Sequence, residues 1–231
     1  SSDLKRFQKF SVREESGVSL AKDVFDIDTK WVLDPVFLCD KSLYENMARI
    51  GKLRLPKEHY VGAYILDPTQ DRADLIKELA EKKCSGNALA VIDTDGYPNG
   101  DFQWSIETLK NVKNEEWLAT IANSDFFITD SFHGVCFALI FQRQFCVVYN
   151  KWQWRGATRI LSILKLLGLE HRMIENKNDL LSNDFFKEPI NYNEINYILA
   201  AKREESSQWL EKSLAGVNGF KEEYTLYEIG R

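Results

Sequence analysis

Apolar positions in the first two-thirds of the chain fall into short continuous runs separated by amphipathic stretches. The runs predict strands at Lys9 to Val12, Trp31 to Leu33, Tyr60 to Leu66, Ala88 to Ile92, Phe126 to Thr129 and Gln144 to Tyr149. Helical spacing predicts helices at Glu15 to Phe25, Lys41 to Ile50, Gln70 to Lys83, Asn114 to Asn123 and Phe132 to Phe141. Strands without alternation, joined by helices of about ten residues or more, are the mark of βαβ units and a parallel sheet buried on both faces. The expected fold is therefore α/β, Rossmann-like and doubly wound. Beyond Tyr149 comes the polar-aromatic stretch NKWQWRGATR, then an amphipathic helix, RILSILKLLGLEHR, with Gly168 as its C-cap. A long helix is expected over Asn191 to Leu214, followed by a tail. The expected division is a Rossmann-like domain over 1–190 and a packed helix and tail over 191–231.

Several boundaries carry their own chemistry. Thr69 follows Pro68 as an N-cap, and Asn114-Glu115-Glu116 caps the next helix with carboxylates at its positive end. DTDGYPNGD, Asp93 to Asp101, is a turn-rich loop after a strand.

The chain has 231 residues, 44% of them hydrophobic and 28% charged, with a net charge of −5. An acidic balance of that kind argues against a broad nucleic-acid footprint. No apolar run reaches the ~20 residues of a membrane span, and the first residues are too polar for a signal peptide. Cys39, Cys84, Cys136 and Cys146 are scattered, which predicts buried reduced thiols in a cytoplasmic protein rather than a disulfide framework or a zinc site. No His/Asp/Glu cluster has metal-ligand spacing, so no metal and no cofactor is expected.

Chemistry concentrates at FITDSFHGVCFALIF, Phe127 to Phe141. Here a strand gives way to a helix through Asp-Ser-Phe-His, a turn that in a parallel sheet lies at the carboxyl edge where ligands bind. The N–H groups of Phe132, His133 and Gly134, with the helix dipole, would form an anion site. Gly134 would let a ligand approach the backbone, and His133 supplies a proton that moves near neutral pH. Asp130 would either orient the imidazole or cap the helix.

EEWLATIANSDFFITDSFHGVCFALIFQRQFCVVYN resembles the signature block of the polysaccharide pyruvyl transferase family. FSVREESGVSLAKDVF (Phe10 to Phe25), WVLDPVFLCD (Trp31 to Asp40) and TRILSILKLLGLEHR are similar to further motifs of that family, in order, so the resemblance covers about Phe10 to Arg172. It implies one half of a fold like that of GT-B glycosyltransferases. It also implies transfer of an enolpyruvyl group from phosphoenolpyruvate to a sugar hydroxyl pair, giving a pyruvate ketal and inorganic phosphate. The partners so implied are phosphoenolpyruvate as donor substrate and a carbohydrate acceptor. The chain would correspond to the donor-binding half, with an acceptor-binding domain lying before it.

By resemblance, His133 binds the donor phosphate and acts as general acid, and Arg13 contacts the donor. Ser131, Phe132, Gly134, Asn150 and Arg159 join the donor site. Some relatives have arginine where this chain has Ser131, and Arg159 or Arg155 would supply the missing charge. Other readings stay open at this level. Arg13 would serve equally as an ion-pair partner of Glu14 or Glu15, Arg159 as a solvent-face residue, and Trp152 and Trp154 as sugar platforms or as a lid on the core. Asp34-Pro35 reads as a strand exit fixed by proline. The rival functions are a GT-B glycosyltransferase using a nucleotide sugar, with the 93–101 loop and Glu107 at the ribose or base, and a degenerate scaffold domain.

Overall fold

The structure, a computed structural model, describes residues 4–51, 55, 59–92, 104–149, 157–175, 179 and 188–215. Asn150, Trp152, Trp154, Arg155, the 93–101 loop and the tail beyond 215 lie outside the described residues. The chain divides into two compact units, one of residues 39–195 and one of 1–38 with 196–231.

The larger unit is built on a six-stranded sheet. Its strands are β3 (Val61–Ile65), β4 (Ala88–Ile92), β5 (Glu107–Leu109), β6 (Phe126–Thr129), β7 (Gln144–Val148) and β8 (Met173–Ile174), all parallel in the order β5-β4-β3-β6-β7-β8. Winding starts at the centre, runs outward through β4 and β5, then reverses past β3 to β6. That is the doubly wound order with its switch point between β3 and β6. β3 and β6 stand in register from Val61 opposite Phe126 to Tyr64 opposite Thr129.

The helices are α2 (Lys41–Gly51), α3 (Gln70–Lys83), α4 (Asn114–Asn123), α5 (Phe132–Ile140) and α6 (Ala157–Leu166). Val61, Ala63 and Ile65 of β3 enter one core with Ile76 and Leu79 of α3, while the alternate residue Tyr64 meets Trp117 of α4 edge to face. Both faces of the central strand are thus covered, which is why it reads as an unbroken apolar run. Burial of each such Ile or Leu is worth about 1.5–3 kcal/mol. Thr69 caps α3 as expected, accepting from the Arg72 N–H at 3.4 Å. The cap of α4 falls one residue earlier than expected: the Glu116 carboxylate reaches back to the Lys113 N–H at 3.0 Å. Gly168 follows α6 with φ +65, the left-handed conformation that ends a helix cheaply only at glycine.

Two strands were not foreshadowed by the apolar pattern. β5 is a half-exposed edge of three residues that opens on Glu107, and β8 is two residues paired with Val147 and Val148. Neither is long enough to show a period.

In the smaller unit β1 (Ser11–Val12) and β2 (Lys30–Trp31) pair in parallel, joined by α1 (Ser16–Phe25). A seventh helix, α7 (Tyr192–Leu214), brings the distant part of the chain to them. Ser206 Oγ accepts from the Leu33 N–H at 3.0 Å, Lys202 stands 4.5 Å over the Trp31 ring, and Lys30 pairs with Glu205. Among the described residues no helix is long and apolar enough to cross a membrane. Cys84, Cys136 and Cys146 are buried free thiols; Cys39 is exposed, contrary to the expectation for scattered cysteines.

Candidate functional site

The β6–α5 turn is held by side chains from elsewhere in the larger unit. Thr129 Oγ1 donates to the Tyr64 carbonyl at 2.7 Å and accepts from the Ser131 N–H at 3.1 Å, tying the end of β6 to β3. The N-cap of α5 is Ser131 rather than Asp130: its Oγ accepts from the Gly134 N–H at 3.4 Å. One of the three amides expected to face an anion is therefore already engaged. Gly134 serves packing more than ligand approach, because a Cβ there would lie 2.3 Å from Thr129 Oγ1.

Asp130 turns instead to the neighbouring loop. Its carboxylate accepts from the Leu66 N–H at 2.7 Å, from the Asp67 N–H at 2.9 Å, and from Arg72, which also donates to the Asp67 carbonyl. Burial pushes this carboxyl above the usual range, against the opposing pull of Arg72 and the two amides. The charge is thus spent on joining the exits of β3 and β6.

His133 is half-buried in the first turn of α5. Its ring lies 5.4 Å from that of Phe132, and the Arg159 guanidinium stands 5.3 Å over the Phe132 ring. A cation held over an aromatic face in this way is favourable and keeps its planar donors oriented. The structure thereby brings Arg159, Phe132, His133, Ser131, Gly134 and Asp130 together around one turn.

A pocket of about 380 Å³ opens beside His133. Tyr64 and Leu66 come to it from the end of β3 and Val91 from β4. Val112, Asn114 and Trp117 come from the start of α4, and Ser131, His133 and Phe137 from the turn and α5. It therefore lies at the carboxyl edge of the sheet, on the switch point, with the N-terminal ends of two helices at its wall.

Arg13 belongs to the other unit, where its guanidinium, 42% exposed, is 2.5 Å from the buried carboxylate of Asp34. The ion pair is with Asp34 rather than Glu14 or Glu15. Asp34 also accepts from the Val36 N–H at 3.1 Å, so the strand exit is fixed by the carboxylate as well as by Pro35. Sequence reasoning missed Tyr64, Asn114 and Trp117 at the pocket. The available signal was a tryptophan beside two glutamates in the first turn of a helix, a place where a solvent face would carry polar residues.

A family model described as polysaccharide pyruvyl transferase matches residues 2–151. No curated protein matches the chain. Among solved structures, UDP-GlcNAc 2-epimerase from Neisseria meningitidis aligns with a TM-score of 0.54 at 10% identity, covering 90% of this chain and 60% of that one. A glycotransferase of kitacinnamycin aligns at 0.44 and 16% identity, covering 71% and 45%. The wall teichoic acid polymerase TagF aligns at 0.42 and 12%, covering 90% and 57%. The chain thus spans about half the length of the structures it matches, and the likeness to the epimerase is one of fold.

Proposed function

The chain belongs to the polysaccharide pyruvyl transferase family, and on that premise we propose that it carries the donor-handling part of an enzyme that moves a pyruvyl group from phosphoenolpyruvate to a sugar of a polysaccharide. The observation that carries this reading is the grouping of His133 with Arg159, set over Phe132, at the switch point of a doubly wound sheet.

The donor presents a phosphate and a carboxylate, and Arg159 offers a planar fork suited to either. It supplies the fixed charge that Ser131 does not. His133 acts as general acid. Its proton goes to the methylene carbon of the enolpyruvyl group, which becomes a methyl, while one sugar hydroxyl bonds to the adjacent carbon. The second hydroxyl then displaces phosphate from that carbon, closing the ketal. The two hydroxyl protons leave to His133 and to phosphate or solvent, so donor plus diol balance ketal plus inorganic phosphate. Use of phosphoenolpyruvate as donor supports a cytoplasmic reaction on this reading.

Calorimetric titration of the chain with phosphoenolpyruvate, and separately with nucleotide sugars, tests this. The expected result is binding of phosphoenolpyruvate that weakens by about tenfold or more in His133→Ala and in Arg159→Ala. A preference for a nucleotide sugar would move the assignment to glycosyl transfer.

A further inference from the structure

Among the described residues that line the switch-point pocket there is no lysine, arginine, aspartate or glutamate. The two helix N-termini at its wall can favour one anionic group, but a ligand with both a phosphate and a carboxylate would meet no charged side chain among those lining residues. Arg159 stands over Phe132, and neither residue lines the pocket. The Arg159 guanidinium thus favours its own side of His133 for the anionic donor, and leaves the pocket to a neutral ligand.

What the pocket does offer is aromatic surface interleaved with neutral polar surface. The Trp117 ring lies 5.2 Å from Tyr64 and 5.1 Å from Phe137, both edge to face. Locked between two rings in this way, the indole is a rigid wall. Asn114 and Ser131 add neutral hydrogen-bonding groups beside His133. The indole N–H of Trp117 is itself buried with no acceptor among the described residues. A buried indole N–H ordinarily finds a partner, and an oxygen on a ligand would satisfy it. Aromatic walls interleaved with neutral polar groups suit an uncharged ring edged with hydroxyls.

We infer that this pocket seats the acceptor: one uncharged pyranose ring, its apolar face against Trp117 and a hydroxyl pair directed at His133. The acceptor ring would then be held within the 39–195 unit, and not left wholly to a separate acceptor domain. His133 would stand between the two reactants, with the anion on its Phe132–Arg159 side and the neutral ring in the pocket. The naming of the ring as acceptor rests on the transferase reading above; the fit of the pocket to a neutral ring does not.

The test uses the whole 231-residue chain. Saturation-transfer NMR and calorimetry would be run with methyl glycosides of galactose, mannose and N-acetylglucosamine, with uridine and adenosine, and with phosphoenolpyruvate. At least one glycoside should bind, and its affinity should fall about tenfold in Trp117→Phe and in Asn114→Ala, with phosphoenolpyruvate affinity changed by less than about twofold. Arg159→Ala should show the converse. Asn114 is exposed, so its variant keeps the test open if Trp117→Phe does not fold. Glycosides that do not bind, that bind equally to both pocket variants, that compete with phosphoenolpyruvate, or that are displaced by a nucleoside would each overturn the assignment. Phosphoenolpyruvate that fails to bind while a glycoside shows the expected pocket dependence would sink the transferase reading and leave the pocket assignment standing.

Discussion

Gly134 shows how closely single residues around the turn are fitted. An added methyl would lie 2.3 Å from Thr129 Oγ1, an atom already donating to the Tyr64 carbonyl and accepting from the Ser131 N–H. The threonine cannot give way without releasing β3 and the cap together. Gly134→Ala should therefore cost about 1–3 kcal/mol, read as a lower urea midpoint with an unchanged slope. At this scale the place of His133, in the first turn of a helix that follows a strand, was legible from the change of period there. The partners of its neighbours were not. Asp130 bonds to groups 58 and 64 residues away, and nothing in Asp-Ser-Phe-His says whether the aspartate or the serine will cap.

Among elements, the decisive joint is the one between the exits of β3 and β6. Asp130, with its side chain 9% exposed, gathers two backbone amides of the β3–α3 loop and the Arg72 guanidinium. Loss of the carboxylate leaves a nearly buried arginine and two amides without this acceptor. Asp130→Ala should cost about 3–5 kcal/mol in chemical denaturation. Asp130→Asn, which keeps an acceptor but not the charge, should cost less. An equal loss in both would mean that charge, not hydrogen bonding, holds the joint. Element positions themselves were read well wherever burial on two faces or a full helical period was present: α3, α4, β4 and β6 have the predicted ends. β5 and β8 were missed because two or three residues at a sheet edge owe their conformation to the neighbouring strand, not to their own pattern.

For the molecule as a whole, the parallel doubly wound order was legible from the alternation of runs and helices, and the resemblance in the signature block led to the family. The partnership of distant segments was not. Leu33 and Ser206, 173 residues apart, share a hydrogen bond, and Ser206 is 1% exposed. Ser206→Ala would leave a buried N–H without that acceptor and should cost about 1–2 kcal/mol, detectable as slower-protected exchange lost at the Leu33 amide.

That same bond orders events during synthesis. The 39–195 unit is continuous in sequence and can close as soon as it has left the ribosome. The unit that contains Leu33 must wait, its first strands already made, until the helix carrying Ser206 has emerged. Nascent chains stalled before that helix would hold a finished sheet and an unfinished N-terminal segment, and so would be most open to chaperone binding at β1, α1 and β2.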